Sequence, residues 1–201
     1  MLQNEISGLE KILRDATHRD LRVVFNAAPM TADVLDYPLG GVEFFVINET
    51  EGAALTGSED PEDIIDAILA RYPGSSVILT LGKSGVIYGD IDQRVRQVAF
   101  EVEAVDATGA GDTFTGYFLA GLAADLSIEA SLEAACRAAA HCVTRSGAAS
   151  SIPTRGEINQ ARFRCPVDFP AGVDTPTSSH CPKPSLQVWF LNEHGFPETP
   201  D

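Results

Sequence analysis

The chain has 201 residues, 44% of them apolar and 21% charged, enough for one globular domain with a core of its own. Its 14 lysines and arginines against 29 aspartates and glutamates leave a net charge of −15, which argues against a nucleic-acid partner and against an acidic membrane surface. No run approaches the ~20 apolar residues of a membrane span and the opening Met1-Leu2-Gln3-Asn4-Glu5 is no signal peptide, so the expected location is cytoplasmic.

Residues 1–6 read as the end of a strand, after which Ser7-x-x-Glu10 reads as a capping box for a helix with Leu9, Ile12, Leu13 and Ala16 on one face. Residues 21–25 are an apolar run without alternation, the pattern of a strand buried on both faces of a parallel sheet, and the run stops at Asn26-Ala27-Ala28-Pro29. Residues 44–47 repeat that pattern and stop at Asn48-Glu49-Thr50-Glu51. Asp60-Pro61 begins a helix carrying Ile64, Ile65, Ile68 and Leu69 that ends before Pro73-Gly74. Residues 77–81 are a third buried strand, ended by Gly82, and residues 86–88 and 95–99 read as a hairpin around Gly89-Asp90-Ile91-Asp92. Strands alternating with helices predict an α/β fold on an open, mostly parallel sheet, whose ligands bind beyond the carboxyl ends of the strands. The polar clusters fall at those ends.

Residues 101–105 read as a further strand leading into Asp106-Ala107-Thr108-Gly109-Ala110-Gly111-Asp112-Thr113-Phe114. Residues 116–124 then read as a helix, and an alanine-rich helix follows from Ser127 to about Thr144. The nine-residue stretch therefore lies at a helix N-terminus, where unpaired N–H groups and the helix dipole favour an anion and glycines let a phosphate approach the main chain. A carboxylate there, Asp112, makes chemical sense if it takes a proton from a hydroxyl attacking that phosphate. An acidic residue in a first helical turn is also favourable without any chemistry, so a capped helix after a glycine turn stands beside that reading.

Two nucleotide-binding motifs are absent. A dinucleotide fingerprint would need a third glycine where Phe114 stands, and Gly82-Lys83-Ser84 ends no P-loop because Val77 precedes it by five and a strand follows. Cys136, Cys142, Cys165 and Cys181 lack C-x-x-C spacing, which predicts reduced thiols, and the order Cys165, His180, Cys181, His194 fits no standard zinc site. From Arg162 onward seven prolines break any periodicity, so residues 162–201 are expected to form a poorly ordered tail, in which residues 186–191 with Trp189 and Phe190 are the segment able to dock.

The stretch Asp106-Ala107-Thr108-Gly109-Ala110-Gly111-Asp112 closely resembles the signature of the ribokinase (PfkB) family of carbohydrate kinases, with Ala107 where that family usually carries Thr, Ser or Pro. Gln3-x-Glu5, Asn26-Ala27-Ala28-Pro29 (Ala27 replacing a proline), Asn48-x-x-Glu51, Thr80-Leu81-Gly82-x-x-Gly85 and Val143-Thr144-Arg145-x-Gly147-Ala148-x-x-Ser151-x-Pro153 follow in the family's order. The last of these is specific enough to favour the ribokinases over other sugar kinases of the family.

The resemblance implies a three-layer αβα ribokinase-like fold over residues 1–161, corresponding to the family's C-terminal half, with the sugar-holding glycine pair and the β-lid of the other half missing. It implies Asp112 as catalytic base and, with Glu5, as substrate ligand. Asn48 would touch the nucleotide phosphates, and Glu51 would order water around Mg²⁺, a cation that keeps its waters. Thr80, Leu81, Gly82, Lys83, Ser84 and Gly85 would run along ATP, and the amides of Ala110, Gly111 and Asp112 would form an anion hole. Asp106, Thr108, Ser151 and the carbonyls of Cys142, Arg145 and Gly147 would hold a monovalent cation, K⁺. Cys136 stands where ribokinases have an adenine-side Asn, which implies altered base contacts.

The implied reaction is ATP-dependent phosphorylation of a sugar primary hydroxyl, D-ribose to D-ribose 5-phosphate, with ATP, Mg²⁺ and K⁺ as cofactors and a homodimer weakened by the missing lid. Sheet edges that the missing strands would cover predict marginal stability or association. Two alternatives stay open: a non-catalytic nucleotide-binding or partner-binding remnant, and a kinase for another sugar or nucleoside.

Overall fold

The computed structural model describes residues 1–161 and residue 163, which divide into two compact units, Met1–Phe100 and a second beginning at Glu101. The expectations placed on residue 162 and residues 164–201, including the poorly ordered tail, its docking segment and the Cys and His residues there, lie outside the described residues.

In the first unit the apolar runs become the strands they predict. A six-stranded sheet is ordered β1 (Leu2–Gln3), β2 (Val24–Asn26), β3 (Phe44–Asn48), β4 (Ser76–Thr80), β5 (Val86–Gly89), β6 (Arg94–Gln97). The first four are mutually parallel and the last two antiparallel, as the hairpin reading requires. Phe44, Phe45, Val46 and Ile47 are all buried, so β3 meets apolar surroundings on both faces. One continuous core joins Phe25, Phe45, Ile47 and Leu79 of the sheet to Leu9 and Leu13 of α1 (Leu9–His18) and to Ile64, Ile65 and Ile68 of α3 (Pro61–Arg71). Burial of side chains of this size contributes about 1.5–3 kcal/mol each. Between β3 and α3 lies α2 (Glu49–Thr56), and α3 opens on Asp60, whose carboxylate accepts the amides of Glu62 and Asp63, with Pro61 in the first turn.

Some local expectations fail for physical reasons. Ser7 caps nothing: Gly8 takes the N-cap position with φ 78°, no side chain bonds to the helix end, and Glu10 turns to Arg14 instead at 2.7 Å. Ile12 lies on the expected apolar face yet is 38% exposed. Residues 101–105 make no strand beyond a single bridge at Glu101. Both of the amides that close this run, those of Val105 and Asp106, donate to the carbonyl of Val143 at 2.7 and 3.1 Å.

In the second unit, α4 (Ala110–Ala123) starts inside the glycine stretch, six residues before the position that composition suggests. Thr113, Phe114, Thr115 and Phe118 are buried there, and Thr115 satisfies its hydroxyl by donating to the Gly111 carbonyl at 2.8 Å. Packing overrides the weak helix propensity of the Gly-Asp-Thr run. The second helix, α5 (Ile128–Cys142), begins where the sequence places it, with Ser127 as the N-cap whose hydroxyl accepts the Ala130 amide, and α6 (Arg155–Gln160) follows.

α4 and α5 approach closely at Gly121, where an added Cβ would lie 2.5 Å from the Ser131 hydroxyl. That hydroxyl is fully buried and has no hydrogen-bond partner among the described residues. Because an unpaired buried hydroxyl carries its desolvation cost, Ser131→Ala is expected to raise unfolding stability by about 1 kcal/mol, read as a higher urea midpoint at unchanged slope. A lower midpoint would mean that the hydroxyl has a partner. Among the described residues no helix is long and apolar enough to cross a membrane.

Candidate active site

The carboxyl ends of the parallel strands carry the first group of candidate residues. Asn48 ends β3 and pairs in register with Thr80 at the end of β4, which brings the Asn-x-x-Glu motif beside the loop that begins at Thr80. Asn48 is also the N-cap of α2. Its side-chain carbonyl accepts the Glu51 amide at 2.9 Å, while the Glu51 carboxylate accepts the Asn48 amide at 3.0 Å and its side-chain amide at 2.9 Å. The motif is therefore a reciprocal capping box, and the structural reading of Glu51 as a first-turn charge holds alongside any functional one.

Glu51 is only 8% exposed, and burial pushes its carboxyl above the usual glutamate range against the two Asn48 hydrogen bonds, which pull it down. A carboxyl whose folded pKa is raised binds its proton more tightly folded than unfolded. Stability then falls as pH rises through the window between the ordinary and the raised value, and the penalty vanishes below that window. Wild type is accordingly expected to gain stability relative to Glu51→Gln as pH is lowered from about 8 to about 4, measured by urea unfolding. A relative loss on acidification would show a carboxylate stabilised in its charged form.

The loop after β4 is closed tightly on itself. The Leu81 amide donates to the Gly85 carbonyl at 2.8 Å, the Ser84 amide to Leu81 at 3.0 Å and the Gly85 amide to Gly82 at 3.2 Å. Gly82 and Gly85 adopt φ of 54° and 102°, conformations that disfavour any side chain. The turn leaves Gly82, Lys83 and Ser84 exposed, while the Thr80 hydroxyl donates to the Ile47 carbonyl at 3.3 Å. Glu5 is exposed in the turn after β1.

Its neighbour Asn4 is a residue that sequence reasoning passed over as the blank in Gln-x-Glu. The Asn4 side chain donates to the Pro29 carbonyl at 2.7 Å and to the Thr31 hydroxyl at 3.2 Å, and accepts from the Tyr37 hydroxyl at 3.0 Å. Its amide donates to Ala28 at 3.0 Å, so one asparagine ties the β1 end to the Asn26-Ala27-Ala28-Pro29 loop. A polar residue at a strand terminus was the available signal.

The second unit holds the remaining candidates. Gly109 caps α4 with φ 78°, and an added Cβ would touch the Ala148 backbone at 3.4 Å, so the turn and the 145–151 loop lie against each other. Asp112 sits in the first turn of α4, exposed, and forms no ion pair among the described residues. The Ala110 amide already donates to the Ala107 carbonyl at 3.2 Å. Gly111 and Asp112 are thus the residues of the proposed anion hole whose amides have no hydrogen-bond partner among the described residues.

Asp106 accepts the Thr108 amide at 2.9 Å and the Gly147 amide at 3.0 Å. The Thr108 hydroxyl, then these two amides, hold its carboxyl down to about 2, so it stays ionised throughout the neutral range. Ser151 is fully buried, donates to the Ala148 carbonyl at 2.6 Å and lies 3.1 Å from the Cys142 sulfur, whose thiol also points at the Thr108 carbonyl at 3.8 Å. The Cys142 carbonyl accepts the Arg145 amide at 3.1 Å and keeps a second lone pair. Hydroxyls, carbonyls and one carboxylate, each of whose oxygens already accepts an amide, are an all-oxygen donor set whose chemistry suits a hard cation of low charge. Among the described residues no group of three or more His, Cys, Asp or Glu could hold a metal ion. Cys136 lies on α5, nearly buried, and burial pushes its thiol up to about 12, with Glu133 adding to the shift. It is an inert thiol at neutral pH.

The family profile of the pfkB family carbohydrate kinases matches residues 7–155. The chain belongs to the pfkB family. Its relatives include the ribokinase of Haemophilus influenzae, 36% identical over 161 residues that make up 78% of this chain and 52% of that protein. The deoxyribokinase of Salmonella typhi is 35% identical over 146 residues, 70% of this chain and 47% of that one. Among solved structures, the ribokinase of Arabidopsis thaliana in complex with ribose and ATP aligns with a TM-score of 0.67 at 29% identity, covering 78% of this chain and 53% of that chain. These likenesses bear out the α/β ribokinase-like fold. The pfkB chain spans about half the length of the relatives it matches.

Proposed function

We propose that this pfkB chain, over residues 1–161, is the C-terminal half of a kinase domain that transfers the γ-phosphoryl group of ATP to a sugar primary hydroxyl, with D-ribose as substrate and D-ribose 5-phosphate as product. The observation that carries this reading is Asp112: an exposed carboxylate that, among the described residues, has no ion pair and lies in the first turn of α4 beside two amides without a hydrogen-bond partner. Asp112 accepts the proton of the attacking hydroxyl as its oxygen forms the new bond to phosphorus and the bond to ADP breaks. The Gly111 and Asp112 amides face the charge on the transferring group, aided by the positive end of the α4 dipole.

Asn48 and the turn from Thr80 to Gly85 hold the nucleotide, the turn offering main-chain groups at Gly82, Lys83 and Ser84. Cys136 stands on the adenine side. Mg²⁺, when bound, neutralises charge on the phosphates, and Glu51 would hold its water shell. Asp106, Thr108, Ser151 and the carbonyls of Cys142, Arg145 and Gly147 would hold K⁺, and Asp106 by its bonds to Thr108 and Gly147 keeps the Gly109 turn against the 145–151 loop. Glu5 receives a sugar hydroxyl. The 36% identical ribokinase supports ribose as the sugar, and the deoxyribokinase at 35% makes a deoxy sugar its nearest competitor.

The capping box, in which the Asn48 and Glu51 side chains are bonded to each other, favours a second reading, a non-catalytic nucleotide-binding chain. A coupled assay of ribose-dependent ADP release by the purified chain separates the two. Turnover that Asp112→Asn abolishes supports the kinase, whereas ATP binding without turnover supports the non-catalytic chain. A higher rate with deoxyribose would move the substrate while leaving the mechanism in place.

A further inference from the structure

A ring of contacts inside the second unit surrounds the loop between α5 and α6, and it includes a residue that neither the motifs nor the mechanism uses. Asp106 receives the Gly147 amide at 3.0 Å, which holds the middle of the loop. The Arg145 guanidinium donates to the Glu157 carboxylate at 2.5 Å, which holds its start to α6. The same carboxylate accepts the Thr154 amide at 2.7 Å through its other oxygen and so caps α6. One residue before that cap, the carbonyl of the buried Pro153 accepts the Tyr117 hydroxyl at 2.7 Å, which fastens the segment to α4, the helix that carries Asp112.

We propose that Glu157 is a positioning residue for the cation loop: by gripping Arg145 while capping α6, it sets the Arg145 and Gly147 carbonyls where a monovalent cation would be held. This rests on the reading of residues 106–108 and 142–151 as a cation loop. Arg145 serves the cation through its main-chain oxygen, so its side chain is free to act as the tether. A carbonyl ligand has little to orient it except its own backbone; among the described residues the Arg145 amide is held only by Cys142 within the turn, and the Glu157 grip on the guanidinium ties the Arg145 side chain to α6. Both partners are more than a third exposed, 38% and 37%, so the pair adds little to global stability while still fixing a local geometry.

The test uses the full chain and its thermal unfolding midpoint as KCl replaces tetramethylammonium chloride at constant ionic strength. Wild type is expected to show a potassium-specific rise that saturates. Glu157→Gln keeps a capping side chain and loses the charge pair, and is expected to unfold at the wild-type temperature without potassium but to need about three- to ten-fold more potassium for the half-maximal rise. Arg145→Gln should shift the half-maximal concentration by the same factor, and the double variant by no more than either single one, because one contact is being removed. If Glu157→Gln lowers the midpoint without potassium and leaves the half-maximal concentration where it was, Glu157 is merely structural and the proposal falls. A wild-type chain that responds equally to both salts overturns the cation loop itself, and the positioning role with it.

Discussion

Asparagine in place of Asp112 is expected to lower sugar-dependent ADP release by about 10²–10⁴-fold, the range a positioned general base supplies. The substitution is isosteric and Asp112 is exposed without an ion pair among the described residues, so folding should be untouched. The loss should appear in kcat with little change in KM, since the proton is accepted only as the transition state forms. Binding of ATP followed by thermal shift provides the control, and it should match wild type. An Asp112→Asn chain that turns over within a few-fold of wild type would remove the base from the mechanism and leave α4 as a capped helix with an acidic first turn.

The largest effect on stability is expected at Gly85. A Cβ there would lie 2.1 Å from the Gln97 carbonyl oxygen, 2.7 Å from the Ala99 amide and 2.8 Å from the Val98 Cα, all main-chain atoms of the segment that carries β6. The residue also has φ 102°, outside the range that suits a side chain. Strain and overpacking each cost about 1–3 kcal/mol, so Gly85→Ala is expected to lose about 3 kcal/mol or more, a large share of a typical domain's stability. Gly82→Ala is the control: φ is 54° with nothing within 4 Å of an added Cβ, which leaves only the left-handed penalty of about 1–2 kcal/mol. Urea unfolding should rank wild type, Gly82→Ala and Gly85→Ala in that order. Equal midpoints for the two variants would mean that the hairpin edge yields without cost.

Much of the first unit was legible because the signals that build it are short-range. Uninterrupted apolar runs placed β3 and β4 within a residue or two, Asp60-Pro61 marked the start of α3, and Ser127 marked α5. Residues 101–105 misled because their alternation satisfies a strand template, while the amides of Val105 and the following Asp106 find the Val143 carbonyl almost forty residues on. The start of α4 was missed because Gly111, Asp112 and Thr113 are poor helix formers individually, and burial of Phe114 and Phe118 outweighs that. Of the site, the motif residues could be named in advance. That Asn48 and Glu51 are bonded to each other in a capping box, and that the Ala110 amide is already committed to Ala107, could not.

The order of residues determined which side chains are available, where apolar periodicity buries a strand and which family the chain belongs to, since each of these is written in contiguous composition and spacing. Only the tertiary structure decided which donors and acceptors are spent. The Asn4 hub, the Cys142 thiol against Ser151 and the Arg145 grip on Glu157 join groups 9 to 33 positions apart. A hydrogen bond depends on distance and angle between two atoms, and no local pattern encodes a separation that the packing of whole helices and strands must first bring down to about 3 Å.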